Sequence, residues 1–182
     1  MGKIRILSEE VANRIAAGEV VERPVSIVKE LVENAIDAKS TKIIVHIENG
    51  GKKLIQVSDN GFGMSEDDAL QSFERHATSK IQTVSDIFNI SSLGFRGEAL
   101  PSIASICRLT MITRDVESTT ASKIVFDSGK LIDFSKTSAN IGTIVTIKRL
   151  FSNVPARKKF LKTDKVEFKH IDNYLHYQSI LH

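Results

Sequence analysis

Lys29-Glu-Leu-Val-Glu-Asn-Ala-Ile-Asp-Ala38 is the stretch on which the fold turns. At a helical rotation of about 100° per residue, Val28, Leu31, Val32 and Ala35 form an i, i+3, i+4, i+7 stripe suited to a core. Glu30, Asn34 and Asp37 fall together on the opposite side and spread a carboxylate, an amide and a second carboxylate over two turns. Taken alone, such a triplet reads as a solvated face. The asparagine argues the other way, because its amide competes for the backbone and makes it a poor interior helix former. An Asn in mid-helix is more often there for its oxygen.

Working outward, Pro24 stands near the start of this helix, where its missing N–H costs nothing, and the helix should end around Lys39-Ser40. Upstream, residues 1–8 are short and apolar-alternating. Val11, Ile15 and Ala16 then predict a short helix closed by Gly18. Downstream, residues 42–48 and 53–59 read as strands joined by Asn49-Gly50-Gly51, a strong hairpin signal. Alternation places Ile43, Val45 and Ile47 on one face of the first strand. On the second, Ile55 and Val57 share a face with Asp59. A carboxylate therefore follows two core residues on the inward side. Burying it unpaired is costly, so it needs a donor from the protein or from a ligand.

Asn60-Gly-Phe-Gly-Met64 breaks the strand, and Ser65-Glu-Asp-Asp68 is a capping-box pattern that opens a helix expected to run through Arg75. Arg75-His-Ala-Thr-Ser-Lys80 is polar and without core periodicity, and residues 84–90 read as a second helix or turn. Ser92-Leu-Gly-Phe-Arg-Gly-Glu-Ala-Leu100 then leads through two glycines into a helix with the stripe Leu100, Ile103, Ala104, Cys107. On that stripe Cys107 reads as a buried small hydrophobe, not a nucleophile. Residues 108–113, 122–126, 130–134 and 143–150 read as four more strands, with Asp127-Ser-Gly129 turning the middle pair. Asn153 and Pro155 open a last helix carrying Arg157, Lys158, Lys159, Lys162 and Lys165. Helices, a hairpin, helices and then a run of strands describe an α+β fold: a two-layer sandwich, its sheet mixed but mostly antiparallel, with helices on one face.

A chain of 182 residues is enough for one domain with a sizeable core and short for two. Twenty-five Lys and Arg against 22 Asp and Glu permit a nucleic-acid partner without arguing for one. The single cysteine excludes an internal disulfide and makes the cytoplasm the natural compartment. No apolar run approaches the roughly 20 residues of a membrane span, and no signal-peptide pattern opens the chain. The last residues, Ser-Ile-Leu-His182, fall inside an apolar-periodic segment with no C-cap, which reads as a cut through a longer protein.

Glycine-rich turns feeding a helix N-terminus make natural anion sites, and residues 93–100 have that form. The P-loop pattern is absent, because the Gly-Lys pairs at 2–3, 51–52 and 129–130 lack both the following Ser or Thr and the preceding glycine. A nucleotide would have to bind some other way.

Four ordered blocks supply one. Glu30-x-x-x-Asn34-x-x-Asp37, Asp59-x-Gly61-x-Gly63, Gly94-Phe-Arg-Gly97 and Gly142-Thr143 resemble the motifs of the gyrase, chaperone, histidine-kinase and MutL ATPase superfamily. Within it, Ile15-Ala-Ala-Gly-Glu-Val-Val-Glu-Arg-Pro24, Arg75-His-Ala-Thr-Ser-Lys80, Gly94-Phe-Arg-Gly-Glu-Ala-Leu100 and Phe151-Ser-Asn-Val-Pro-Ala-Arg157 resemble the bacterial MutL family of DNA mismatch-repair proteins. The likeness runs over essentially the whole chain.

The resemblance implies a Bergerat-type ATP-binding fold, here as a single domain over residues 1–182 and without the family's further subdomains. It also implies roles. Glu30 would be the general base that activates the attacking water. Asn34 would ligate Mg²⁺ through its amide oxygen, a plausible lone neutral ligand for an ion that keeps waters and phosphate oxygens. Asp37, Gly61 and Gly63 would belong to the nucleotide site. Asp59 would accept from the adenine amino group, and Thr143 would bind adenine-side atoms or an ordered water. Gly94, Phe95, Arg96, Gly97, Glu98, Ala99 and Leu100 would wrap the phosphates, while Thr78, Ser79 and Lys80 would form part of a lid. Implied cofactors are ATP and Mg²⁺. Implied partners are a MutS-type mismatch-recognition protein, DNA, and a second copy in the full-length homodimer, with ATP binding ordering the lid and driving dimerisation.

Other functions compete. A histidine kinase would share the site motifs but needs a phosphoacceptor His on a preceding helical hairpin, and the first His after the start is His46, in a strand. A type II topoisomerase ATPase module is not expected to carry the strings at 75–80 and 94–100 together. A nucleotide-sensing module without hydrolysis survives only where Glu30 cannot act. The basic run at 157–169 has helical spacing, usually the mark of a solvated face, and only secondarily of DNA contact.

Overall fold

Pro24 occupies the first turn of helix α1 (Pro24–Asp37), following an extended Arg23 at φ −156°, ψ 171°. Pro is suited to that place because its φ is already helical and no hydrogen bond is lost. In the computed structural model, which describes residues 21–74 and 97–181, α1 buries Ile27, Val28, Leu31, Val32 and Ala35. The expected stripe is therefore the core face. The helix stops at Asp37, two residues short of expectation, and Lys39 takes a left-handed conformation at φ 58°.

Strands β1 (Ile43–Glu48) and β2 (Leu54–Asp59) form the expected antiparallel hairpin around a 3₁₀ turn, Asn49–Gly51. Ser65 caps helix α2 (Glu66–Gln71) by accepting from the Asp68 N–H at 3.2 Å. That helix ends at Gln71, short of the expected Arg75, which itself lies outside the described residues. Phe73, just beyond the helix, is buried and stacks at 4.5 Å on Phe126.

Helix α3 (Ala99–Ser105) leads into β3 (Arg108–Arg114). Leu100, Ile103 and Ala104 pack inward as expected, whereas Cys107 lies beyond the helix end, fully buried, its Sγ donating to the Ile103 carbonyl at 3.0 Å. β4 (Ala121–Asp127), β5 (Lys130–Thr137) and β6 (Gly142–Lys148) follow, with Ser128 and Gly129 turning the β4–β5 hairpin at φ 54° and 85°. The sheet order is β1-β2-β6-β3-β4-β5, and every described pairing is antiparallel.

The single helix expected after Pro155 is two: α4 (Pro155–Phe160) and α5 (Asp164–Leu181). Between them Lys162 offers its N–H to the Glu167 carboxylate at 2.8 Å, and the Lys162 carbonyl accepts from Lys52 Nζ at 2.7 Å. Those bonds hold the break. The Asp164 carboxylate then grips the hairpin turn, accepting from Asn49 at 2.9 Å and pairing with Lys52 at 2.6 Å.

The string at 151–157 is a structural tie. Phe151 is fully buried, Asn153 donates to the Ser105 carbonyl at 2.7 Å, and Arg157 donates to the Val21 carbonyl at 2.7 Å. Arg157 is thus withdrawn from the basic face, while Lys158, Lys159, Lys162, Lys165 and Lys169 stay exposed.

Candidate functional site

Pleating gives a strand two faces with a period of two, so residues two apart share a face. On the helix-covered face, Val57, Val145, Met111 and Ile124 stand side by side across β2, β6, β3 and β4. One step along, the row reads Asp59, Thr143, Thr113 and Ser122. Four strands thus change from apolar to polar at the same level. Thr113 is 1% exposed and Ser122 3%, so their half of this polar edge belongs to the interior, while Asp59 and Thr143 are half-buried.

Thr113 is its hub. Its hydroxyl accepts from the Met64 N–H at 3.0 Å, donates to the Gly142 carbonyl at 3.2 Å, and lies 2.9 Å from the Thr143 hydroxyl. Sequence reasoning missed this residue. The available signal was its place after Leu109 and Met111 on the inward alternation of β3, a polar group where a core residue is due.

Asp59 ends β2 half-buried. Its Oδ1 accepts from the Gly61 N–H at 2.8 Å and from Ser40 Oγ at 3.2 Å. Burial raises its carboxyl above the usual carboxylate range, and the bonds from Gly61, Ser40 and the Thr143 backbone oppose that only in part. A buried acceptor with spare capacity suits a ligand that brings a donor. Gly142, at φ 121°, lies against the Asp59 carbonyl where any Cβ would collide.

The same loop closes on the end of α1. The Phe62 N–H donates to the Ala38 carbonyl at 3.1 Å, and a Cβ on Gly61 would come within 2.6 Å of that carbonyl oxygen. Only a glycine lets the strand end lie so close to the helix. Asn60 fixes the other side, accepting from the Thr41 and Lys42 N–H groups at 2.9 and 2.8 Å. The C-terminal turn of α1 therefore abuts Asp59, and Asp37, Asn34 and Glu30 lead away from it along the helix, all half-buried. At 1.5 Å per residue, Glu30 stands about 10 Å along the axis from Asp37. Beside them Glu33, which the sequence reading passed over, is buried and pairs with Lys29 at 3.8 Å.

Gly97 at φ 62°, Glu98, Ala99 and Leu100 form the entry to α3 and are half-buried. Thr78, Ser79, Lys80, Gly94, Phe95 and Arg96 lie outside the described residues. Among the described residues no group of three or more His, Cys, Asp or Glu is placed to hold a metal. The α1 face offers the neutral oxygen of Asn34, a donor set that fits a cation coordinated largely by phosphate and water.

An amphipathic helix laid over an antiparallel sheet, with a buried acid at the strand end beside it, is an arrangement with known counterparts. A family model described as histidine kinase-, DNA gyrase B-, and HSP90-like ATPase matches residues 22–158. The chain belongs to this ATPase family. Within the ATPase family it is 53% identical over all 182 residues to the DNA mismatch repair protein MutL of Solibacter usitatus (strain Ellin6076), and 55% identical over the same length to that of Acidobacterium capsulatum. It spans 28% and 27% of those proteins, so it matches about a quarter of their length.

Among solved ATPase structures, the MutL ATPase domain of Aquifex aeolicus complexed with ADP superposes with a TM-score of 0.69 at 32% identity, covering 86% of this chain and 54% of that one. The N-terminal domain of a DNA repair protein superposes with a TM-score of 0.74 at 36% identity, covering 90% of this chain and 47% of that one. Fold and family are those that the motif blocks implied.

Proposed function

We propose that this chain is the ATP-binding and ATP-hydrolysing domain of a DNA mismatch-repair protein, with Glu30 as the general base. The observation that carries the reading is the half-buried Asp59 carboxylate, set beside Thr143 at the end of an apolar sheet and against the C-terminal turn of α1. The adenine amino group would meet Asp59, and the phosphates would run along α1 toward Glu30.

In the reaction, a water oxygen bonds to the γ-phosphorus as the bond to the β–γ bridging oxygen breaks. ADP leaves, and Glu30 takes the proton released by the water. Asn34 would hold Mg²⁺, which when bound neutralises phosphate charge. Asp37, Gly61, Gly63 and Thr143 would line the base and sugar. Gly97, Glu98, Ala99 and Leu100, with Gly94, Phe95 and Arg96, would face the phosphates, and Thr78, Ser79 and Lys80 would close over them.

The relatives named as mismatch repair proteins support the wider assignment: a MutS-type partner, DNA, dimerisation of the longer protein, and a cytoplasmic setting. Among the described residues no helix is long and apolar enough to cross a membrane.

The test is Glu30→Ala. A non-hydrolysable ATP analogue should bind as to the unaltered protein while turnover falls about 10²–10⁴-fold. Equal loss of binding and turnover would make Glu30 structural and remove it as the base.

A further inference from the structure

We propose that Ser40 is a positioning residue for base recognition, its hydroxyl holding one oxygen of the Asp59 carboxylate and leaving the other for the adenine amino group. The inference rests on the reading of Asp59 as the group that meets the base, and its source is a shared target. Ser40 Oγ donates to Asp59 Oδ1 at 3.2 Å, and the Gly61 N–H donates to the same oxygen at 2.8 Å. Both bonds leave Oδ2 untouched. An ionised carboxylate accepts through either oxygen, so two donors gathered on one keep the other open to a ligand. The Ser40 hydroxyl thus fixes the carboxylate without competing with the base.

The way α1 ends delivers Ser40 to this place. Its N–H donates to the Ala35 carbonyl at 3.2 Å and the Lys39 N–H donates to the Ile36 carbonyl at 2.9 Å, around Lys39 at φ 58°. Such a pair of bonds across a left-handed residue is a Schellman closure, which folds the chain back over the last helical turn. The end of β2 then grips that turn from both sides. The Phe62 N–H holds the Ala38 carbonyl at 3.1 Å, Asn60 Oδ1 accepts from the Thr41 and Lys42 N–H groups, and Asn60 Nδ2 donates to the Thr41 hydroxyl at 2.8 Å. Gly61 completes the fit, because a Cβ there would stand 2.7 Å from Ser40 Oγ. These contacts fix the backbone before and after Ser40 beside Asp59. α1, whose polar face carries Glu30, Asn34 and Asp37, is thereby bonded through its terminal turn to the carboxylate that would meet the base.

Ser40→Ala removes only the hydroxyl, at a half-buried position. Calorimetry with ADP and with a non-hydrolysable ATP analogue compares the unaltered protein, Ser40→Ala, Asp59→Asn and the double variant, each checked for folding by thermal unfolding. Ser40→Ala should bind both nucleotides about fivefold more weakly, the order that one modest hydrogen bond supplies. In the Asp59→Asn background the same change should cost no further affinity, because Ser40 acts through the carboxylate. Unchanged affinity in Ser40→Ala would overturn the inference. So would an equal loss in both backgrounds, the signature of a packing role, or a loss with the ATP analogue alone, which would put the effect at the phosphate end. If Asp59→Asn binds as tightly as the unaltered protein, the base reading itself fails; if Asp59→Asn binds weakly and Ser40→Ala binds normally, only the role of Ser40 falls.

Discussion

The hydroxyls of Thr113 and Thr143 lie 2.9 Å apart on directly paired residues of neighbouring strands. One bond thereby joins a residue that the motifs single out to one that they do not. Thr113 also receives the Met64 N–H and reaches the Gly142 carbonyl, so its oxygen is held by two further bonds where it meets Thr143.

Thr113→Val should therefore do more than its near-equal volume suggests. It strands a buried N–H and a carbonyl and frees the Thr143 hydroxyl, at a cost of roughly 1–3 kcal/mol for a buried group left without its partner. Thermal unfolding should show that loss, and calorimetry should show weaker binding of an ATP analogue. Thr113→Ser, which keeps the oxygen, should restore most of both. A valine variant with unchanged stability and affinity would show that the hub carries nothing.

Asp59→Asn separates stability from binding. Burial raises the Asp59 carboxyl in the folded state, so the charged form is less comfortable there than in the unfolded chain. For an acid shifted this way, the stabilising contribution is present below the unfolded pKa of about 3.9 and is lost as pH rises through the folded value. At neutral pH the ligand-free Asn variant should consequently be at least as stable as the wild type, with the advantage shrinking toward acid. ATP affinity should fall about ten- to a hundredfold, since the amide presents a donor to the adenine amino group. Wild-type affinity should also weaken as Asp59 protonates, an acid limb absent from the variant. Unchanged ATP affinity in folded Asp59→Asn protein would refute base reading by this carboxylate.

Glu167 is fully buried, and its charge is answered by Arg23 at 3.9 Å and by the Lys162 N–H at 2.8 Å. Removing the partner of a buried charge costs more than the pair is worth. Arg23→Met should destabilise the fold by about 2 kcal/mol, moderated by the partial exposure of Arg23. Adding Glu167→Gln should recover part of the loss, since the amide can still accept from Lys162. Denaturant melts that show simple additivity would mean the two side chains do not interact.

Cys107 offers a probe of global opening. Burial, with the Asp127 carboxylate behind it, pushes its thiol pKa up, and its Sγ is bonded to the Ile103 carbonyl. A thiol reagent should modify the native protein only at the rate of unfolding and the denatured chain at once. Fast native labelling would contradict the packing around α3.

Local periodicity made α1, the β1–β2 and β4–β5 hairpins and the capped α2 legible, because each is set by residues a few positions apart. The inward turn of Asp59 followed from simple alternation. The motif blocks named the family and the candidate residues. What they could not supply was adjacency. β6 inserts between β2 and β3, and that insertion aligns Asp59, Thr143 and Thr113, while the β3–β4 pairing adds Ser122 to the same polar row. Likewise the break at residues 161–163 is held by Lys52 and Glu167, from a distant hairpin and the next helix, so helical spacing carried the reading straight through it. Glu33, which the helical pattern did not single out, is buried on α1. The sequence determined which faces were apolar and which side chains were candidates for chemistry; strand order and helix docking decided which of those groups meet, because a contact across a sheet or between helices depends on packing of the whole core and has no local period.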